Sequence, residues 1–460
     1  MKRLIFILIA AVPLVILATV GFNQERAKKP AAAPSAGRAS PALTSANTNW
    51  PCYRGPNRMG AAPAGGEAVP LTWSDTENIL WKTPLPGRGA SSPVIWGDNI
   101  YVTAYSGYGM EKNDPHVNIR KLVRHLLCID RKSGAVRWNS EVPTEEVREH
   151  GQSNYVHLHG YASSTPVADE DGVYIYLGRR GVLSFDHAGK QRWKYDLTDP
   201  KEHTWGSGSS PVLFENLVIV HADPELGALI ALDKKTGTRF WKAPTGTGDS
   251  WSTPLVVQAG GRAELVFHHT NSYQAEDRTT RVGAVDPRTG APLWNCAILK
   301  DYLCPSPIAQ DGVIYWLAYQ GGAAMRAGGS GDVTASRVLW TTKHGTEICT
   351  PILHGGHLYW TGETNGMAYC LDAKTGADVY RERFEPKPDL IYASGVLAGD
   401  RIYYVSRGNG TYVVPAKPEF RLLAHNRIAS DTSIFNGTPA VSGGQLFLRS
   451  DRFLYCIGKK

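Results

Sequence analysis

The chain has 460 residues, with 49 Lys and Arg against 42 Asp and Glu for a net charge of +7, and it carries 13 tryptophans, 21 tyrosines and 48 glycines. So mild a charge, without a basic stripe, argues against nucleic acid as a partner, and the aromatic content supplies the apolar area for a core that a disordered chain lacks. Seven cysteines without a Cys-x-x-Cys pair leave zinc-ribbon, thioredoxin-type and c-haem chemistry unsupported.

Met1-Lys2-Arg3 precedes an uncharged run from Leu4 to Phe22. This is the form of a signal peptide or an N-terminal membrane anchor over 1–22. If retained, its positive flank leaves the body on the far side of the membrane, so the expected location is exported, periplasmic or membrane-tethered and facing the periplasm. Residues 23–49 are rich in Ala, Pro and Ser and lack aromatics, as a disordered linker does. The third segment, 50–460, opens on Trp50-Pro51-Cys52-Tyr53-Arg54-Gly55-Pro56, an aromatic, turn-rich peptide expected to pack as a strap on the outside of the fold.

From there one unit recurs. In Ala231-Leu232-Asp233-Lys234-Lys235-Thr236-Gly237, continued to Trp241, an apolar strand ends at an acid, a Thr-Gly pair turns the chain, and a second strand ends in tryptophan. Gly237 suits the positive φ such a turn needs, and Asp233 can accept the turn's own N–H groups. Copies run from Cys128 to Trp138, Ser184 to Trp193, Ala284 to Trp294 and Cys370 to Tyr380. Each copy follows a small residue, a proline and an alternating run, marked by Pro93, Pro166, Pro211, Pro254, Pro307, Pro351, Gly395 and Pro439 at spacings of 73, 45, 43, 53, 44, 44 and 44 residues. A period near 44 signals a propeller or solenoid.

The blades are expected at 86–142, 159–198, 205–245, 249–298, 302–343, 346–386, 390–430, and 433–460 joined by 78–85. The C-terminal end supplies three strands and Ile79 to Thr83 the fourth, so the two termini complete an eighth blade and remove the open edges of a linear array. The fold class is therefore all-β, an eight-bladed propeller of four-stranded antiparallel blades. Cys128, Cys370 and Cys456 replace small buried residues and read as core thiols, while Cys52, Cys296, Cys304 and Cys349 lie nearer loops, where one pair is open to oxidation in such a compartment.

The unit Ala-x-Asp-x-x-Thr-Gly-x-x-x-Trp, in five near copies, resembles the blade signature of the pyrroloquinoline quinone (PQQ) repeat family, and the resemblance runs from about Trp73 to the end. It implies an eight-bladed propeller whose tryptophans Trp81, Trp138, Trp193, Trp241 and Trp294 dock neighbouring blades. The family includes PQQ-dependent alcohol and sugar dehydrogenases and the non-catalytic propeller subunit of the outer-membrane β-barrel assembly machinery. This chain lacks the adjacent cysteines characteristic of the alcohol dehydrogenase branch and the acceptor cysteine of the lipidated assembly branch.

Segments leading into the inner strands, with the loops between second and third strands, open on one mouth of a propeller, where ligands enter. They hold Arg88, His159, Tyr161, Arg179, Trp205, Asp249, Trp251, Asp301, Tyr302, Glu347 and Arg407, with His157, Glu363, Tyr392 and Asp451 nearby. Asp249, Asp301 and Glu347 are the carboxylates placed to hold calcium or act as a base, and the pairs His157/His159 and His268/His269 are set against a solvated-histidine reading. Motifs for serine hydrolases, zinc proteases and nucleotide binding are absent. The resulting expectation is a monomeric, non-catalytic binding or scaffolding propeller of the bacterial envelope, with envelope proteins as partners, no catalytic residue, no metal and no cofactor. The alternative is a quinoprotein oxidoreductase of alcohols or sugars using PQQ with calcium, and the third reading is a carbohydrate-binding or sensor module.

Overall fold

The computed structural model describes residues 48–62, 69–110, 118–144, 158–246, 250–270, 279–300 and 304–459. Eight sheets follow one another along the chain, each built on a four-stranded antiparallel up-and-down meander, and the first is Val94–Trp96, Asn99–Ser106, Val123–Asp130 and Val136–Pro143. Blades 2 to 7 repeat this order, and blade 8 combines Ala440–Ser442, Gln445–Arg449 and Phe453–Ile457 with the N-terminal strand Ile79–Pro84. That last pairing runs antiparallel, with Trp81 opposite Cys456 and Pro84 opposite Phe453, so the ring closes through its two ends as the sequence predicts.

The small residue ahead of each proline has a structural reason. Proline holds the preceding residue extended, and that residue's N–H points sideways into the next blade. Ser92 N donates to Thr165 Oγ1, Thr165 N to Ser210 Oγ, Ser210 N to Thr253 Oγ1 and Thr253 N to Ser306 Oγ. Ser306 N then donates to Thr350 Oγ1, Thr350 N to Ser394 Oγ and Ser394 N to Thr438 Oγ1, all at 2.9–3.0 Å. This belt of buried hydroxyls links the inner strands from blade 1 round to blade 8. At the seam, Arg449 of blade 8 donates to Ser91 Oγ (2.9 Å) and Thr103 O (2.7 Å) of blade 1.

On the rim, each tryptophan meets the turn of the next blade. Trp81, Trp138, Trp193, Trp241 and Trp340 donate their indole N–H to the carbonyls of Arg131, His187, Lys234, Pro287 and Ala373 at 2.8–3.1 Å. Their rings lie on Gly134, Gly189, Gly237, Gly290 and Gly376, where an added Cβ would approach ring atoms to 2.6–2.7 Å. These glycines are thus required by space as well as by their positive φ. Trp294 differs, because blade 5 has no Asp-x-x-Thr-Gly turn to receive it: its indole N–H goes to Glu264 Oε2 (2.7 Å) on its own blade, and Gly328 N of blade 5 shares that oxygen (3.2 Å). Trp340, not singled out in the repeat analysis, makes the contact between blades 5 and 6.

The expectation of an external strap is corrected. The segment around Trp50 enters beside the turns between first and second strands, where Gly97 N donates to Asn49 Oδ1 (2.8 Å), and then occupies the central channel. It pairs there with the free inward edges of the inner strands: Trp50 and Ile95 exchange both N–H···O bonds, Ala168 N donates to Pro51 O, Leu397 N to Gly60 O and Ala62 N to Leu397 O. Unpaired strand edges need partners, and this peptide supplies them from inside. Its centre is Arg54, fully buried, which donates to the carbonyls of Arg58, Met59, Thr350, Pro351 and Gly395 at 2.6–3.3 Å. Met59 packs with Ile308 and Leu353 of blades 5 and 6, and Cys52 with Val167 of blade 2.

All seven cysteines are free thiols; Cys128, Cys370 and Cys456 lie in the core, and so do Cys52, Cys296 and Cys349, while Cys304 is half-buried. Replacing Arg54 by methionine strands several buried carbonyls, each costing about 1–3 kcal/mol. Arg54→Met is therefore expected to lower the unfolding free energy by about 3 kcal/mol or more in urea titrations, whereas Trp193→Phe, which loses one hydrogen bond, should cost about 1 kcal/mol.

Candidate functional site

The mouth residues are held by short loops between strands that the belt has already fixed. Arg88 is bridged to Tyr105 through both backbone bonds (3.0 and 2.8 Å), and its Nε lies 3.8 Å from Asp451 Oδ2 across the seam between blades 1 and 8. Asp451 also accepts from Gly89 N (3.4 Å). Burial pushes its carboxyl above the ordinary value against the pull of Arg449, Arg88 and Arg407. Burial likewise lowers Arg449 to about 10, which leaves it charged at neutral pH.

Beside this seam, Arg407 of blade 7 lies over the Tyr392 ring at 4.7 Å and donates to Leu158 O (3.1 Å). Asn436 of blade 8 donates to the same carbonyl (2.9 Å). Leu158 belongs to the segment leading into blade 2, so that segment is gripped by blades 7 and 8. Next to it, His159 joins blades 2 and 3: Nδ1 lies 2.5 Å from Ser163 Oγ and Nε2 2.6 Å from Trp205 O. The Trp251 indole continues the link to blade 4's lead-in by donating to Gly206 O (2.9 Å), with its ring against the edge of His203.

Other expected residues are engaged differently. Tyr161 is buried edge-on against Tyr105, below the Arg124 guanidinium, and Arg179 donates to Pro200 O (3.2 Å) within blade 2. Glu347 offers its backbone N–H to Glu363 Oε2 (3.1 Å), which also takes Thr346 Oγ1 (3.0 Å). Asp249, Asp301, Tyr302 and His157 lie outside the described residues. A small open depression lies between blades 1, 2 and 3, lined by Arg124, Tyr161, Ser163, Tyr176 and Ser207 among others. Behind it Glu225, unmarked by any motif, is wholly buried and held by Tyr176 Oη (2.7 Å) and Ser207 Oγ, and burial raises its carboxyl.

A calcium-bound quinone needs several oxygen ligands at one point. Among the described residues no three His, Cys, Asp or Glu side chains converge as an ion site, and Glu363 accepts from Thr346 and Glu347 on the lead-in to its own blade. The described residues therefore do not by themselves assemble a calcium site. His268 and His269 sit on the strand Arg262–Thr270, with His268 fully buried.

Burial lowers His268 to about 3, reinforced by His221 and His269, and lowers His269 to about 4 against the pull of Asp223. An unfolded histidine titrates near ~6.5, so between that value and about 4 the unfolded chain binds protons that these imidazoles refuse. Stability is expected to fall as pH drops through this window. The fall should be shallower in His268→Gln when urea midpoints are compared at neutral and acid pH.

The PQQ-repeat family model described as outer membrane protein assembly factor BamB matches residues 123–382. The chain is 23% identical over 342 residues to the outer membrane protein assembly factor BamB of Burkholderia pseudomallei, spanning 71% of this chain and 84% of that one. It is 22% identical over 359 residues to a polyvinylalcohol dehydrogenase of Sphingopyxis sp., spanning 66% of this chain and 46% of the enzyme. In structure it superposes on the quinohemoprotein alcohol dehydrogenase of Comamonas testosteroni with a TM-score of 0.62 at 11% identity, covering 90% of this chain and 81% of that one.

Proposed function

The chain belongs to the PQQ-repeat propeller family described as outer membrane protein assembly factor BamB, and from that premise we propose that it is a non-catalytic binding or scaffolding propeller of the bacterial envelope, with envelope proteins as partners. The observation that carries this reading is the occupied channel. The central channel is occupied from inside by the peptide around Arg54, paired to inner strands of blades 1, 2 and 7. Across the mouth, Leu158 is gripped by Arg407 and Asn436. The surface of the ring is offered for recognition, and it suits protein segments better than a small planar acid. The curated relative named as an assembly factor, matched over 84% of its length, supports the same reading. Export by the N-terminal segment belongs to the proposal; no helix among the described residues is long and apolar enough to cross a membrane.

The second reading, a quinoprotein dehydrogenase, is favoured by the polyvinylalcohol dehydrogenase relative and rests on Asp249 and Asp301 joining Glu347. Thermal unfolding of the full chain with and without PQQ and calcium separates the two. A ligand at a hundredfold excess over its Kd stabilises the native state by about 2.7 kcal/mol. No upward shift and no dye reduction with alcohols or sugars are expected; a shift accompanied by turnover would replace the scaffold reading with the enzyme.

A further inference from the structure

Blade 4 carries a fifth strand. Gly331–Asp332, from the glycine-rich loop of blade 5, runs parallel to the outer strand Pro292–Lys300, with Gly331 opposite Trp294 and Asp332 opposite Asn295. Val333 N donates to Asn295 O (2.9 Å), and Thr334 Oγ1 accepts from Ala297 N (3.0 Å). In this blade the residue bulged out of the ladder beside the tryptophan is Leu293, skipped between the pairs Ala284–Trp294 and Val285–Pro292, and it packs against the core cluster of blades 4 and 5.

Blade 3 has the same bulge without the fifth strand. Ala231 pairs with Trp241 and Leu232 with Arg239, so Phe240 is the skipped residue, and it is 66% exposed, the highest value among the exposed large apolar side chains. Its strand, Arg239–Pro244, adds exposed Arg239 and Lys242 and contains no acid. The nearest turn acid, Asp233, is consumed by Lys235 N and Thr236 N. Lys242 stands where Asn295 stands in blade 4, and its carbonyl is the corresponding acceptor. Pro244 stands where Ala297 does and has no N–H, which holds any added strand to the two-residue length that Gly331–Asp332 shows. The other exposed apolar bulge residues, Leu339 at 41% and Val379 at 38%, are smaller, and beside Val379 the Asp378 carboxylate already pairs with Arg381.

We infer that the outer edge of blade 3 binds a short, extended, acidic segment of a partner protein, which pairs with Lys242 as Gly331–Asp332 pairs with the outer strand of blade 4 and covers Phe240. Backbone pairing to Lys242 supplies register, the Phe240 ring supplies the buried anchor, and Arg239 with Lys242 selects negative charge. The inference rests on the scaffold reading and names the site and chemistry of its partner.

The test uses the full chain and a fluorescently labelled ten-residue peptide of alternating Thr and Val with three Asp, set against the same peptide with three Lys, in anisotropy titrations. The acidic peptide is expected to bind at least about tenfold tighter. Phe240→Ser, and separately Arg239→Glu combined with Lys242→Glu, should each weaken it about tenfold or more, while Leu339→Ser leaves it unchanged. Because Phe240 is exposed, unchanged thermal unfolding of Phe240→Ser verifies the fold. Absence of saturable binding, equal binding of both peptides, or undiminished binding by Phe240→Ser would each overturn the inference. So would a concentration-dependent dimer that disappears in Phe240→Ser, since the edge would then take a second copy. If these assays fail while in-envelope cross-links to partner proteins persist in Phe240→Ser, the scaffold reading stands and only this edge is excluded as its site; loss of cross-links in wild type would remove the scaffold reading itself.

Discussion

Everything in this propeller hangs on the hydrogen bond from one blade's pre-proline N–H to the next blade's hydroxyl. The bond is short, buried and directional, and it recurs at the innermost radius from Ser92 to Thr438. At the outer radius a second directional bond, from the indole N–H to the carbonyl after the turn acid, recurs with the glycine that lets the ring lie flat. Two fixed contacts at two radii determine the angle between successive sheets, which apolar packing alone leaves loose. A single blade makes neither contact with itself, so stability accrues from neighbour to neighbour.

The joints where this scheme runs out are filled by arginine. At the seam between the first and last blades Arg449 takes carbonyl and hydroxyl oxygens of blade 1, and in the channel Arg54 gathers carbonyls from its own segment and from blades 6 and 7. Burial lowers both to about 10, yet both stay charged at neutral pH, as only guanidinium reliably does. Five donors in a planar fork also suit a place where many carbonyls converge and no carboxylate fits. Blade 5 shows another solution: having lost the turn that would receive Trp294, it shares a buried carboxylate, Glu264, with that tryptophan.

These constraints bear on function through what they leave open. The belt and the channel peptide use the inner edges of the sheets, and the mouth loops use much of their polarity on one another, as His159 does in bridging to Trp205. On the scaffold reading, recognition then falls to the faces and the rim. The chain matches an assembly factor and a dehydrogenase at nearly equal identity, 23% and 22%, and a shared propeller fixes architecture rather than the chemistry of any loop.

The period near 44, the Asp-x-x-Thr-Gly turn with its positive-φ glycine and the split eighth blade were all legible in the chain, because each is a local pattern whose physical cause lies within a few residues or in a strict repeat. The seam pairing of Ile79–Pro84 with Phe453–Ile457 was legible for the same reason, as a missing strand at one end and a surplus one at the other. The path of the Trp50 peptide was not: a turn-rich aromatic segment can cover an outside as readily as fill a channel, and only the unpaired inner edges of blades far away in sequence decide for the channel. The mouth was legible as a list of residues and not as a site, since Leu158 meets Arg407 and Asn436 across hundreds of residues by contacts that carry no periodic signal. Local chemistry and repetition determined the ring from sequence; long-range pairing of leftover backbone and charge, which exists only once the ring has closed, decided what fills its centre and what its mouth holds.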